Sequence, residues 1–424
     1  MKTIRRVCVR PLVSRRCLCH LPYPHPSAKR FFRRWQRHQD PRLVASEFQV
    51  SARTIRRLYG RFVQRGQQGI APDYEHCGQD QPSASSHVRG KAEKLRQEHP
   101  TWGAPLIRVM LAPKDRQRTL PCARTLQRWF AQQALPPAPA GQHPAADVNR
   151  ATRAHEVWQM DAAELIALRS GQRVSWLRNT DEFSGAVLGT RVFAEAHFNQ
   201  VPVLRVQGDL RQRFAVWGRP EKFRVDNGTP WGSSGDFPPD LALWLLGLDI
   251  DLIWNPPCRP DKNGVVERSQ GVGKQWAEPF ACDTPAELQR RLNRMDRVQR
   301  EKYPSIHGQS RSEAYPDLQH SGRCYDAAWE KQHWSLDRVV DYLADYVVSR
   351  RVDRAGLVSI YNRNYYVGKH YKGQPLQVFL DPTTLHWVFT DAEGRELRTH
   401  PAEQISRERI VSLQVTNRRL RKPK

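Results

Sequence analysis

Asp161, Asp226 and Glu267 are the side chains of this sequence whose types and settings could do chemistry together. Asp226 closes KFRVDNGTPWG, where Phe223 and Val225 mark a short strand running into a Gly/Asn turn. Glu267 follows a second strand, marked by Ile250, Leu252 and Trp254, and a Pro/Asn/Gly loop; Val265, Val266, Glu267 and Arg268 then open a helix. Asp161 interrupts HEVWQMDAAELIAL, an apolar run that otherwise reads as an inner strand. A lone buried carboxylate is costly and calls for a partner. One acid on an inner strand, one at a strand end and one on a nearby helix can converge on a divalent cation, which takes hard oxygen ligands. Singly, each has an ordinary reading: a tight-turn aspartate for Asp226, a solvated pair for Glu267 with Arg268, a strand-end cap for Asp161. Glu164, Asp181, Glu182, Asp249 and Asp251 read as surface or loop carboxylates.

The elements that must position these acids are legible in order. After the Asp161 strand, RVSWLRNTDEFSGAVLGTRVF gives two strands around a turn at 181–185, and VPVLRVQGDLRQRFAVWG gives an amphipathic helix. The Asp226 strand, the apolar helix LALWLLGL, the strand before Trp254 and the Glu267 helix complete the series.

Three segments in this order, WQMDA, RVDNGTPWG and WNPPCRPDKNGVVER, resemble the DDE transposase and retroviral integrase superfamily, closely over roughly residues 150–280 and loosely outside. The resemblance implies an α/β RNase H-like catalytic domain over 151–280, with Asp161, Asp226 and Glu267 as catalytic residues and metal ligands. It implies two Mg2+ ions, with Mn2+ as a substitute, and a polynucleotidyl transferase. Water would nick the end of a DNA element, and the freed 3′-hydroxyl would attack target DNA, each by in-line displacement at the metal pair. Two departures stand out. Forty residues separate Asp226 from Glu267, more than is usual in the retroviral branch, and the surplus is placed in the loop 232–239. Asp261 is a rival at a spacing of 34, but it precedes Gly264 and falls in the loop. Of two lysine positions that approach DNA in retroviral integrases, Gly271 replaces one and Lys274 keeps the other.

Charge points to the same class of partner. The chain has 68 Lys and Arg against 43 Asp and Glu, a formal +25. Its first 150 residues hold 28 basic and 9 acidic side chains, so the excess is concentrated there and reads as a polyanion-binding arm. No apolar stretch reaches membrane-spanning length. Residues 1–39 read as a basic arm without regular structure: arginines break every apolar run, which excludes a secretory signal but suits a transit peptide as well as a DNA-contacting arm. Cys8, Cys17, Cys19, His20 and His25 match no zinc spacing and read as free side chains. Eight scattered cysteines give no disulfide framework, which suits a reducing cytosol.

Two all-α helix-turn-helix modules follow, at 40–80 and 85–135. In the first, Leu43, Val44 and Phe48 are expected to pack on Ile55, Leu58 and Phe62, with Ser51 capping the second helix. ARTIRRL at 52–58 recurs as ARTLQRW at 123–129. Arg53, Thr54, Arg56 and Arg57, and then Arg124, Thr125 and Arg128, are the expected DNA-contacting residues, together with Lys274, while Ile55 and Leu126 point inward. Residues 136–150 read as a linker.

Beyond the catalytic domain, residues 281–350 read as a helical connector, opened by a capping box at Thr284 with Glu287; its many arginines suit either DNA or a solvated face. Period-two strands at 357–361, 365–367, 376–380 and 386–390 resemble the small β-barrel of Mu-type transposases, assigned to 352–410, and 411–424 form a basic tail. The expected chain is therefore multidomain. Its expected partners are double-stranded DNA, both element ends and target, and further copies of itself on that DNA. A helper ATPase is a further partner the resemblance brings, and a cytoplasmic, nucleoid-associated location follows. The alternative is a domesticated sequence-specific DNA-binding regulator that keeps the fold without transposing.

Overall fold

The computed structural model describes residues 28–70, 86–112, 120–139, 150–228, 230–232, 237–255 and 263–417. The readings placed on Cys8, Cys17, Cys19, His20, His25 and Asp261, and on most of the linker, lie outside the described residues. The chain divides into two units, residues 1–83 and 84–424.

In the first unit, helices α1 (Ala28–His38), α2 (Pro41–Glu47) and α3 (Ala52–Arg65) lead into a 3-10 turn at Gly66–Ile70. Asp40 caps α2, whose first residue is Pro41, and the Ser51 hydroxyl accepts from Thr54 N at 3.1 Å to cap α3. Val44, Ala45, Ile55, Leu58 and Ile70 form the core, with Phe48 and Phe62 against it and Trp35 stacked on Tyr59. Leu43 is the exception to the expected packing. It is 51% exposed, because the α2 face that meets α3 carries Val44 and Ala45.

The second unit is built on a five-stranded sheet of β1 (Val157–Ala167), β2 (Arg173–Asp181), β3 (Val187–Phe193), β4 (Lys222–Val225) and β5 (Asp251–Trp254), in the order β3-β2-β1-β4-β5. β1, β2 and β3 are antiparallel neighbours, whereas β4 runs parallel to both β1 and β5. This mixed α/β sheet with its helices fits the RNase H-like arrangement. Ahead of it lie α4 (Ser86–Glu98), α5 (Ala104–Leu111) and α6 (Ala123–Gln132); α7 (Val203–Trp217) joins β3 to β4, α8 (Asp240–Gly247) joins β4 to β5, and α9 (Gly264–Ala277) follows β5.

Alternation along β1 sends Trp158 and Met160 to a core shared with Phe214 of α7 and Leu241, Trp244 and Leu245 of α8. The opposite face, carrying Ala163, Val174, Trp176 and Val192, packs on Ala277 and on Leu288 and Leu292 of α10 (Pro285–Glu301). Thr284 caps α10 by accepting from Glu287 N at 3.2 Å, but the expected capping box is only half formed, since the Glu287 carboxylate accepts from Asp283 N at 2.9 Å. Asp181 and Glu182 are corrections: they are 0% and 2% exposed, not surface acids. Asp181 accepts from His155 N, Ser184 N and Ser184 Oγ, and Glu182 accepts from Ala151 N and from Gln159 and Arg224. Backbone donors and an arginine compensate the burial of both.

The α4–α6 segment does not stand apart from the sheet. Trp102, Ile107, Met110, Leu126 and Phe130 share a core with Trp276 of α9 and with Met295 and Val298 of α10. Leu126 is fully buried, while Arg124 and Arg128 are exposed on the other side of α6.

C-terminal to α10, short α11 (Arg311–Ala314), α12 (Ala327–His333) and α13 (Leu336–Ala344) precede β6 (Val348–Arg351), β7 (Leu357–Ile360), β8 (Arg363–Tyr366), β9 (Pro375–Asp381), β10 (His386–Thr390), β11 (Glu396–Pro401) and α14 (Arg407–Val411). Their pairing gives an antiparallel sheet β11-β10-β9-β6 and a separate β7-β8 hairpin, in place of one closed barrel. β6 and β11 escape the period-two pattern because their alternate positions are Ser and Arg, or Glu, Arg and His. This layer also continues the core of the five-stranded sheet: Phe237 packs on Trp387 at 4.8 Å between ring centres, and Leu413 and Val415 are buried, so the expected basic tail is packed as far as Val415. Among the described residues no helix is long and apolar enough to cross a membrane.

Candidate active site

Three elements bring Asp161, Asp226 and Glu267 to one cleft of about 670 Å³. Asp161 is supplied by β1, Asp226 by the residue after β4, and Glu267 by the first turn of α9. β1 and β4 are parallel neighbours with Gln159 opposite Arg224, so Asp161, in the middle of β1, lies level with Asp226 just past the end of β4, and α9 packs against β1 there. Gln159 fixes that crossing: its Oε1 accepts from Val266 N at 3.0 Å while its Nε2 donates to buried Glu182 at 2.8 Å. Gln159 and Asp161 are two residues apart on a strand and so share a face.

Each acid has a defined setting. Asp161 is the most buried, and Gln270 Nε2 donates to its carbonyl at 3.0 Å and to its Oδ2 at 3.2 Å. Burial pushes the Asp161 carboxyl up to about 6; the Gln270 hydrogen bond pulls it back, and the charges of Asp226 and Glu267 add to the rise. Asp226 and Glu267 are exposed. Oδ1 of Asp226 accepts from Trp231 Nε1 at 2.5 Å and from Gly228 N at 3.1 Å, so Gly228 and Trp231 both face back on the aspartate. Trp231 is held in turn by Trp254 of β5, whose Nε1 donates to its carbonyl at 2.8 Å.

Lys274, two turns beyond Glu267, also lines the cleft, as do Phe198, Asn199 and Glu164. Glu164 is exposed as expected, with its carboxylate accepting from Phe198 N. Gln270 and Trp231 are the site residues that the sequence reading missed. Gln270 follows Glu267 by three positions on one helix, a spacing that places both on one face. Trp231 lies inside the quoted motif.

The far end of α9 is held by a second cluster. Thr101 Oγ1 donates to Gln275 O at 2.6 Å and to Glu278 Oε1 at 2.7 Å, and Trp102 Nε1 donates to Trp276 O at 3.0 Å. His99 Nδ1 lies 2.6 Å from the other Glu278 oxygen. Glu278 is buried in the left-handed conformation that ends α9. The turn before α5 thus satisfies carbonyls that α9 leaves open at its C-terminus.

Asp161, Asp226 and Glu267, with Glu164 and a single cation, Lys274, make the cleft electronegative, bordered by Phe198 and Trp231, and the carboxylates are a set of hard oxygen donors that suits Mg2+. Among the described residues, however, no group of three or more His, Cys, Asp or Glu side chains is arranged so that it could hold a metal ion. Asp161 and Asp226 are turned toward protein donors, Gln270 and Trp231.

No family model matches the chain. Among solved structures it is similar to the catalytic core domain of BIV integrase, at TM-score 0.31 and 20% identity over 39% of this chain and 97% of that one. It is similar to the HTLV-2 integrase catalytic core domain in complex with magnesium, at TM-score 0.31 and 18% identity over 40% of this chain and all of that one. A chain of the simian T-cell lymphotropic virus intasome, solved with the PP2A regulatory subunit B56 gamma, is similar at TM-score 0.34 and 16% identity over 73% of this chain and 96% of that one.

Proposed function

We propose that this chain is a DNA transposase or integrase that binds the ends of a DNA element and carries out Mg2+-dependent phosphodiester cleavage and strand transfer. The observation that carries the proposal is the meeting of Asp161, Asp226 and Glu267 in one cleft that also contains Lys274. These are the acids on which the sequence resemblance rests, and they come from three separate elements.

Asp161, Asp226 and Glu267 would hold the ions, drawing Asp161 and Asp226 away from Gln270 and Trp231. When bound, a pair of Mg2+ ions supplies Lewis acidity to the attacking and leaving oxygens of an in-line displacement. The protein's own contribution is positional. Gln159 and Glu278 fix the two ends of α9, and so the placement of Glu267 and Lys274 against β1 and β4. Lys274 offers a point charge to a DNA phosphate at the cleft wall. Asp161 must shed its proton before it can act as a ligand.

The helical pairs α2–α3 and α5–α6 are assigned to DNA binding through Arg53, Thr54, Arg56, Arg57, Arg124, Thr125 and Arg128. Supporting this, the four arginines Arg53, Arg57, Arg124 and Arg128 are exposed while Ile55 and Leu126 behind them are fully buried. Assembly of several copies on DNA, a helper ATPase and a nucleoid-associated location rest on the resemblance alone. The test is a nicking and strand-transfer assay on duplexes from the flanks of the coding sequence. Wild-type protein should cut with Mg2+, and Asp226→Asn and Glu267→Gln should bind the same duplex without cutting. Sequence-specific binding with no cutting by the wild type would transfer the chain to the regulator class.

A further inference from the structure

We propose that the groove between α5 and α10 is a second, sequence-independent DNA-backbone site, separate from both the catalytic cleft and the α6 arginines. The inference rests on the DNA-processing reading above, but on different residues. The groove, of about 430 Å³, is lined by Arg290, Arg294, Arg297 and Lys302 over a floor that includes Val109, Met110 and Val298.

α10 divides its arginines by face. Arg291, on the inner side, pairs with Glu287 at 3.3 Å, and Arg300 donates to Val187 O at 2.8 Å. Arg290, Arg294 and Arg297 are exposed on the groove side, and among the described residues none of the three forms an ion pair. Their spacing of four and three places them in one row along the helix, about 10 Å long at the rise of an α-helix. Like charges at these spacings destabilise a helix slightly, so the row costs stability unless an anion covers it.

Charge selects the occupant. The floor side chains Val109, Met110 and Val298 are themselves only 9%, 9% and 6% exposed, and the rest of the lining is Asn293 and the four cationic side chains. An apolar peptide would have to desolvate four cations with nothing to pair them, whereas a phosphate backbone would neutralise them. Position agrees with this. α5 packs on α6, which carries Arg124 and Arg128, and α10 packs on α9, which carries Glu267 and Lys274, so the groove lies between the helix assigned to DNA reading and the catalytic helix.

The test uses the full chain, with R290Q/R294Q/R297Q compared with wild type by fluorescence anisotropy on a labelled duplex at 50 and 200 mM salt. Loss of three phosphate contacts should lower the log–log salt slope by about 2.7, so that the fall in affinity between the two salt concentrations is about 40-fold smaller in the variant. The effect should be equal on element-end and scrambled duplexes. R290K/R294K/R297K should restore the slope, and matching thermal melts of all three proteins would confirm that the fold is intact. An unchanged slope would overturn the proposal. So would a variant that loses affinity for a poly-glutamate peptide while binding duplex normally, since the groove would then be a protein-docking surface. The outcomes separate this inference from the proposed reaction: an unchanged slope in a protein that still nicks DNA removes the groove alone, and a reduced slope without nicking removes the reaction alone.

Discussion

Replacing Asp161 by Asn should stabilise the cation-free protein at neutral pH and do much less at acid pH. The carboxyl is held at about 6 against an ordinary 3.8, mainly because its charged form is buried. With the folded value raised, the native state binds more protons than the unfolded chain between these two values. The group's contribution is therefore fully present below about 4 and is lost as pH rises through about 6. A difference of roughly two units corresponds to about 3 kcal/mol as an upper figure. Asn keeps an oxygen that can accept from Gln270, so the substitution removes the charge without orphaning the amide at 3.2 Å. The assay is urea unfolding of both proteins in EDTA at pH 4.5 and 7.5, comparing the variant-minus-wild-type difference at the two values so that all other titrations cancel. The difference should be larger at pH 7.5 by about 2 kcal/mol. Adding Mg2+ at pH 7.5 should raise the stability of the wild type and not that of Asp161→Asn. A difference that is the same at both pH values would refute the argument that burial and the neighbouring acids bear on Asp161.

Other perturbations test separate parts of the account. Glu278→Ala should cost about 1–3 kcal/mol in a denaturant melt, because Thr101 and His99 lose a buried acceptor at the end of α9. Gly273→Ala should also destabilise, since a Cβ there runs into the buried Arg178 guanidinium, which pairs with Asp296 at 3.0 Å; an unchanged melting curve would count against this packing. Arg53→Ala or Arg124→Ala should each weaken binding to element-end duplex by about 1–3 kcal/mol if it meets a base edge bidentately, and equal losses on scrambled DNA would reduce the role to phosphate contact. Severing the chain after residue 150 should expose Trp102 and Ile107, which pack on α9 and α10, and read out as aggregation or dye binding by the N-terminal fragment.

The order of strands and helices along the chain and the three acids were legible because each has a local signature, whereas the order of the strands within the sheet has none. β1, β4 and β5 are apolar runs that end in turn residues; of the helices between them, α7 shows an amphipathic pattern and α8 stands out as an apolar run, residues 241–247, buried on every side. Asp161 was conspicuous as a charge inside such a run. Burial of Asp181 and Glu182 was not legible, since their partners are backbone groups and residues as far away as Arg224. The same holds for the join between α4–α6 and the sheet. Its key contacts, Thr101 to Gln275 and Trp102 to Trp276, span 174 residues of sequence and leave no local pattern. The C-terminal layer was half legible: β9 and β10 alternate cleanly, whereas β6 and β11 gain their strand form from pairing with them.

The central claim is that Asp161, Asp226 and Glu267 share the catalytic cations. Anomalous diffraction from crystals of the DNA complex soaked in Mn2+ tests it most directly, because Mn2+ takes the same hard oxygen donors as Mg2+ and can be located by its own scattering. Manganese should appear in the cleft, bonded to carboxylate oxygens of Asp161 and Asp226 with Glu267 completing the site, and its signal should be lost in Asp226→Asn. Manganese bound through Asp261 in place of Glu267, or a cleft that stays empty while the protein cuts DNA, would contradict it.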